Sequence, residues 1–310
     1  LFVWMGEILF RTKLSENLFK GLSPWMQKLP GGLIHVNVVG CALFAAISGS
    51  SAATVATVGK MSIPELRKRN YPEKILLGSL AGSGTLGLLI PPSIILIIYG
   101  VAVQESIAKL FIAGIIPGIM IALIFMSYVI IWSLINKKSM PKIIEEYSFL
   151  EKIKRSKQLL PVIILILAVI GSIYTGIATA TEAASLGVVG ALILSYFQKS
   201  LTLKTFKSSL LGATKTSCMI AFILAGSTFL SLAMGFTGLP RNLALWIQNM
   251  ELSPYVLIFV LMIFYIILGM FLDGISAVVL TMAIIEPMIR QAGFDMIWFG
   301  IFLVIVVEMA

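Results

Sequence analysis

Residues 35–59 read HVNVVGCALFAAISGSSAATVATVG. Two apolar arms, 35–47 and 52–59, flank Ser48-Gly49-Ser50-Ser51, a run that both breaks and caps a helix. Neither arm reaches the ~20 residues a helix needs to cross hydrocarbon. Non-helical backbone at membrane depth is tolerated only where it is buried in protein or lines a wet cavity. The stretch therefore reads as a re-entrant helical hairpin whose tip offers hydroxyls, carbonyls and a helix N-terminus. The same small residues would also serve as a close-packing patch between membrane helices.

The membrane setting follows from composition. Of 310 residues, 59% are apolar and 12% charged, with 23 Lys plus Arg against 14 Asp plus Glu; mean hydropathy is +1.02. A soluble domain carries about twice that charge. The apolar stretches amount to roughly eight or nine segments of membrane length, and the fold class is an all-α polytopic membrane protein. Nucleic acid is not a partner, because the +9 net charge lies in short segments between apolar runs. Cys41 and Cys218 sit in apolar stretches and imply no disulfide framework. Leu1 follows no signal peptide, so the chain reads as a fragment lacking both ends.

Residues 75–101, 109–136, 158–174, 181–197 and 216–236 each read as one span, whereas 33–59 and 254–285 are interrupted. Three basic loops orient them: 60–74 (Lys60, Arg67, Lys68, Arg69, Lys74), 137–157 (Lys137, Lys138, Lys142, Lys152, Lys154, Arg155, Lys157) and 199–215 (Lys199, Lys204, Lys207, Lys215). Two crossings separate neighbouring loops, so all three face the cytoplasm. The 286–296 loop, with Arg290 against Glu286 and Asp295, falls outside.

An internal repeat emerges at an offset of 223. Ser50 falls on Asp273, Pro64 on Pro287, Leu66 on Ile289, Arg67 on Arg290 and Tyr71 on Phe294. At an offset of 225, LSENL (14–18) falls on LPRNL (239–243). The two copies follow opposite loop polarity, as inverted repeats of secondary transporters do. The counterpart of 216–236 lies ahead of residue 1, and that of GLLIPP (87–92) begins at Ala310.

Two further interruptions carry chemistry. GSLAGSGTLGLLIPPSI (78–94) places Gly78, Gly82, Gly84 and Gly87 ahead of Pro91-Pro92, and is read as too broken for a regular helix. Its freed carbonyls and the hydroxyls of Ser83, Thr85 and Ser93 suit a hard monovalent cation; a simple proline kink is the alternative. GMFLDGISAVVLT (269–281) places Asp273 between apolar arms, as an N-cap, an ion ligand or both. Glu182 pairs with Thr179 as a capping box, and His35 is a packing or loop histidine at the hairpin foot. The chain holds no Walker motif or nucleophile elbow, and the acids read near apolar runs, Asp273 and Glu182, do not form an enzyme's pair.

The stretch LPGGLIHVNVVGCALFAAISGSSAATVATVGKMSIPELRKRNYPEKILLGSLAGSGTLGLLIPPSI (29–94) resembles the large membrane subunit of tripartite ATP-independent periplasmic (TRAP) transporters. SIYTGIATATEAASLGVVGAL and LGMFLDGISAVVLTMAIIEPMI resemble it too, and the likeness runs over essentially all of the chain. It implies a sodium-driven elevator-type symporter in a bacterial cytoplasmic (inner) membrane, with no organic cofactor and no enzymatic activity. Its cargo would be organic anions, carboxylates such as C4-dicarboxylates, sialic acid or sugar and keto acids. Its partners would be a periplasmic substrate-binding protein, a small four-helix membrane subunit and the lipid bilayer. By the resemblance, Na+ falls on Ser48, Ser50, Gly84, Gly87 and Pro91, with a second site around Asp273 that this chain leaves incomplete. Substrate falls on Ser50, Ser51 and Ser93, with Arg241 a lesser candidate. The implied organisation is 1–32 scaffold and arm, 33–101 first hairpin and broken helix, 102–215 scaffold spans, and 216–310 second repeat. A binding-protein-independent sodium/carboxylate symporter is the runner-up, and an intramembrane enzyme or assembly subunit the reading from another class.

Overall fold

The computed structural model describes residues 1–12, 14–141, 147–238, 242 and 253–309. Among them the regular elements are all helical. In chain order they are α1 (Phe2–Phe10), α2 (Leu14–Met26), α3 (His35–Ser48), α4 (Ser51–Lys68), α5 (Glu73–Gly84), α6 (Leu86–Leu89), α7 (Ile94–Ala102) and α8 (Ile107–Ile135). Then follow α9 (Phe149–Ser156), α10 (Leu160–Tyr174), α11 (Ala180–Phe197), α12 (Leu203–Thr237), α13 (Pro254–Gly269), α14 (Gly274–Gln291) and α15 (Met296–Met309).

Five described segments are long and apolar enough to cross a membrane, or six if α9 and α10 count as one. Three apolar helices are shorter: Gly32–Ser48, Pro254–Gly269 and Met296–Met309. That is fewer full spans than the apolar content suggested, because breaks at 49–50 and 270–273 divide apolar stretches into pieces. α8 and α12 turn large apolar side chains outward, among them Ile116, Leu123, Ile131, Phe222 and Phe229. In water such a surface would be costly; in lipid it is the expected one.

The chain forms two compact units, Leu1–Ser93 with Ile115–Ala213, and Ile94–Gly114 with Thr214–Ala310. In the first, α3 is the centre: α1, α2, α4, α5 and α6 all pack against it. Its apolar sequence suits that place, since a helix hydrophobic all round is a buried one. Asn37, fully buried on α3, donates to Leu76 O (3.2 Å) and Ser79 Oγ (3.0 Å) of α5. In the second unit α14 packs against α7, α13 and α15. There the buried Tyr265 hydroxyl of α13 lies 2.7 Å from Thr281 Oγ1 of α14.

Three expectations need correction. First, the basic segments are largely helical: α4 runs to Lys68, α9 occupies 149–156, α12 starts at Leu203, and α14 carries Glu286 and Arg290. Lys and Arg are good helix formers, and near a C-terminus they face the negative end of the helix dipole. Second, Gly78 and Gly82 lie inside α5, and Gly84 is its last residue. Thr85 keeps helical dihedrals (φ −62°, ψ −26°), and the backbone leaves the helix only at Ile90 (φ −74°, ψ 122°). The prolines break it; the glycines do not. Third, 216–236 is part of a longer helix, α12, of 35 residues.

The 223-residue offset, by contrast, reappears in local backbone geometry. α4 is capped by Ser50 and contains Pro64; α14 is capped by Asp273 and contains Pro287. Each has 18 residues. Asn70 and its counterpart Gly293 are both left-handed (φ 57° and 81°). Tyr71 N donates to Leu66 O at 3.1 Å, and Phe294 N to Ile289 O at 3.2 Å. The next helices start at Glu73 and Met296, again 223 apart. The LPRNL segment lies outside the described residues save Asn242.

Candidate functional site

The turn between α3 and α4 is built by residue type. Gly49 ends α3 in the left-handed region (φ 58°, ψ 19°), where a side chain is strained, and its N–H donates to Ala45 O at 3.1 Å. Ser50 returns to extended backbone (φ −141°, ψ 126°) and caps α4, its Oγ accepting from Ala53 N. The chain therefore reverses within two residues, and α3 and α4 pack along each other.

Three neutral oxygens converge at this tip. The Ser48 and Thr54 hydroxyls lie 2.8 Å apart. Both reach the Ser50 carbonyl, Thr54 Oγ1 donating at 2.8 Å and Ser48 Oγ at 3.3 Å. Ser48 and Thr54 are buried, and Ser50 and Ser51 partly so. No carboxylate takes part in these bonds, and among the described residues no three His, Cys, Asp or Glu side chains cluster as metal ligands. The chemistry fits a hard, singly charged cation better than a transition metal.

Backbone from two other helices approaches the tip. A Cβ added at Gly87 of α6 would lie 2.7 Å from Ser50 O and 2.9 Å from Ser51 N. One added at Gly6 of α1 would lie 3.1 Å from Ser48 Cα. A Cβ added at Gly84 of α5 would meet the Val55 side chain and lie 3.8 Å from Ser51 O. Of the residues expected for the first cation, Ser48, Ser50, Gly84 and Gly87 thus meet at one place, together with Ser51 from the expected substrate residues.

Pro91 and Pro92 complete the break. In a continuous helix, backbone N–H groups at positions 91 and 92 would bond the carbonyls four residues back, Gly87 and Leu88, and proline has none to give. Ser93 takes up the second of these, its hydroxyl donating to Leu88 O. Ser93 and Pro91 are both buried. The other hydroxyls act in the same local way, Ser83 Oγ donating to Ser79 O (2.6 Å) and Thr85 Oγ1 to Gly82 O (2.7 Å).

In the second unit, Asp273 caps α14. Its Oδ2 accepts from Ser276 N at 3.2 Å and its Oδ1 from Ser276 Oγ at 2.5 Å, and the residue is exposed. At the repeat's offset, Ser48 corresponds to Phe271 and Thr54 to Ala277. One tip therefore relies on neutral hydroxyls and the other carries a carboxylate. Arg241 lies outside the described residues.

Three participants went unread in the sequence. Thr54 had a local signal, its place one turn past the cap in Ser50-x-x-x-Thr54. Gly6 had none, since its role is a contact made across 42 residues of chain. Asn37, a lone amide inside an apolar run, could have been flagged as a buried polar group needing partners. Elsewhere, Thr179 and Glu182 form the expected capping box. His35 is buried at the start of α3, with Nε2 2.8 Å from Pro30 O. At the hairpin foot the Tyr71 hydroxyl accepts from Leu33 N at 3.1 Å, and burial raises the phenol above its ordinary pKa.

A family profile described as "Tripartite ATP-independent periplasmic transporter, DctM component" matches residues 1–310. The chain belongs to this family. The C4-dicarboxylate TRAP transporter large permease protein DctM of Pseudomonas aeruginosa is 31% identical over 309 residues, 99% of this chain and 71% of that protein. Its Rhodobacter capsulatus namesake is 32% identical over 322 residues, 99% of this chain and 72% of its own. The isethionate TRAP transporter permease protein DctMQ of Oleidesulfovibrio alaskensis is 30% identical, over 98% of this chain and 48% of that protein. This DctM-family chain is thus similar throughout its length to multi-pass transporter permeases, and its relatives are named for transport.

Proposed function

We propose that the protein is the large permease subunit of a sodium-driven TRAP importer of organic anions. α3–α4 and α13–α14 act as re-entrant hairpins, and the transport domain moves as an elevator against scaffold spans. Na+ binds at the first tip, through oxygens of Ser48, Ser50 and Thr54 and the broken helix at Gly84, Gly87 and Pro91. Asp273 serves a second sodium site. Substrate is recognised near Ser50 and Ser51, where a helix N-terminus favours negative charge; Ser93 holds the broken helix in shape beside them. The cargo class is a small organic acid, since two relatives are named for C4-dicarboxylate and one for isethionate. A periplasmic binding protein delivers the substrate, and a small membrane subunit completes the complex. The complex resides in a bacterial inner membrane, with the basic segments in the cytoplasm.

The observation that supports this reading most is the convergence at one tip of three neutral oxygens and a glycine backbone freed by Pro91. Sodium binding tests it directly. Purified full-length protein should be stabilised against heat by NaCl and not by choline chloride, by about 2.7 kcal/mol at a hundredfold excess over Kd. Ser48→Ala with Thr54→Val should abolish the difference. Equal stabilisation by sodium and choline in the unmodified protein refutes the site.

A further inference from the structure

We propose that α9 is a membrane-surface helix that reads anionic phospholipid headgroups and fastens α2 to them. The proposal rests on four features of one small region of the first unit. α9 precedes the 15-residue apolar helix α10 with its axis turned by 56°, so it does not continue the line of that helix.

Its apolar side chains are exposed: Phe149 by 65%, Leu150 by 77% and Ile153 by 41%. At 100° per residue these three share one face, and Lys152 and Lys154 flank that face on its two edges. This is the arrangement in which lysines snorkel to phosphates while the apolar face enters the acyl boundary.

The helix also docks on α2. The Trp25 indole N–H donates to Ser156 Oγ at 2.7 Å, Phe149 packs edge-on to the Trp25 ring (6.3 Å between centroids), and Lys152 Nζ lies 5.4 Å over it. Trp25 is itself 41% exposed, a tryptophan placed as interfacial belts place theirs.

Charge selects the occupant. Lys152, Lys154, Arg155 and Lys157 cluster within six residues, the acid within α9 being Glu151, which is engaged in the Ser148 capping box, while Glu145 and Glu146 precede the helix in sequence. The exposed Lys137 and Lys138 close the end of α8. An apolar face rimmed by bases fits an anionic bilayer surface, where each base near the headgroups shifts docking about five-fold.

The test uses full-length protein in nanodiscs of phosphatidylcholine with or without phosphatidylglycerol. Cys41 is buried and Cys218 exposed, so Cys218→Ser with Leu150→Cys leaves one accessible labelling position within these 310 residues for an environment-sensitive dye, any accessible cysteine elsewhere being replaced by serine. We expect quenching by a lipid nitroxide set just below the headgroup, and stronger quenching with phosphatidylglycerol. Lys154→Glu, on an exposed side chain, should weaken that dependence by at least about five-fold, and Lys154→Arg should restore it. Phe149→Ser should reduce quenching in both lipids. Quenching equal in the two lipids overturns the proposal, as does a dye reached only by aqueous iodide. A dye shielded from lipid and water alike also overturns it, and would mean that a protein partner covers the face.

Discussion

Replacing Gly87 by alanine should weaken sodium coupling without touching any ligand side chain. A Cβ there would stand 2.7 Å from Ser50 O, 2.8 Å from Ser50 C and 2.9 Å from Ser51 N. Ordinary contact begins at 3.4 Å, so either the tip or α6 must retreat by about 0.7 Å. All three neighbours are backbone atoms, and the tip is held on its other flank by Gly6. No flexible side-chain end can give way instead. Overpacking of this kind costs about 1–3 kcal/mol. Expressed in ion binding at 1.4 kcal/mol per decade, that raises the sodium half-saturation by about five-fold to a hundred-fold. The assay is uptake by full-length protein in proteoliposomes across a sodium titration, with Gly78→Ala as control. A Cβ at Gly78 meets nothing within 4 Å, and alanine is the better helix former there. Gly87→Ala with an unchanged sodium half-saturation would refute the placement of the ion at this tip.

Three further outcomes follow from the geometry. Asp273→Asn keeps an N-cap of equal quality while removing the charge, so thermal stability should hold and sodium dependence weaken; sodium activation equal to that of the unmodified protein would leave Asp273 only a cap. Thr179→Ala removes one arm of the α11 capping box and should lower stability by about 1 kcal/mol, seen as a lower unfolding temperature, with sodium half-saturation unchanged. Tyr265→Phe removes the hydroxyl 2.7 Å from Thr281 Oγ1, which keeps its own bond to Ala277 O, and should destabilise by about 1 kcal/mol, read in the same melt.

The hairpin was legible in the sequence because Ser48-Gly49-Ser50-Ser51 allows few backbone conformations, a left-handed glycine followed by a capping serine. The repeat was legible because Pro64 and Pro287 hold the same place in helices of equal length. Helix ends in the basic segments were not, since the same lysines suit a solvated loop or a last helical turn. Gly78 and Gly82 misled for a related reason: surrounding packing can hold a glycine in a helix against its ~1 kcal/mol propensity. The close approach of Gly6 to Ser48 is tertiary, and no local pattern announces it.

We propose that this permease couples inward sodium flow to import of an organic anion handed over by a binding protein. Labelled organic acids presented to proteoliposomes holding the full-length permease and its small subunit test it most directly. Uptake should require an inward sodium gradient and the added binding protein together. Uptake that proceeds without either one would contradict the account.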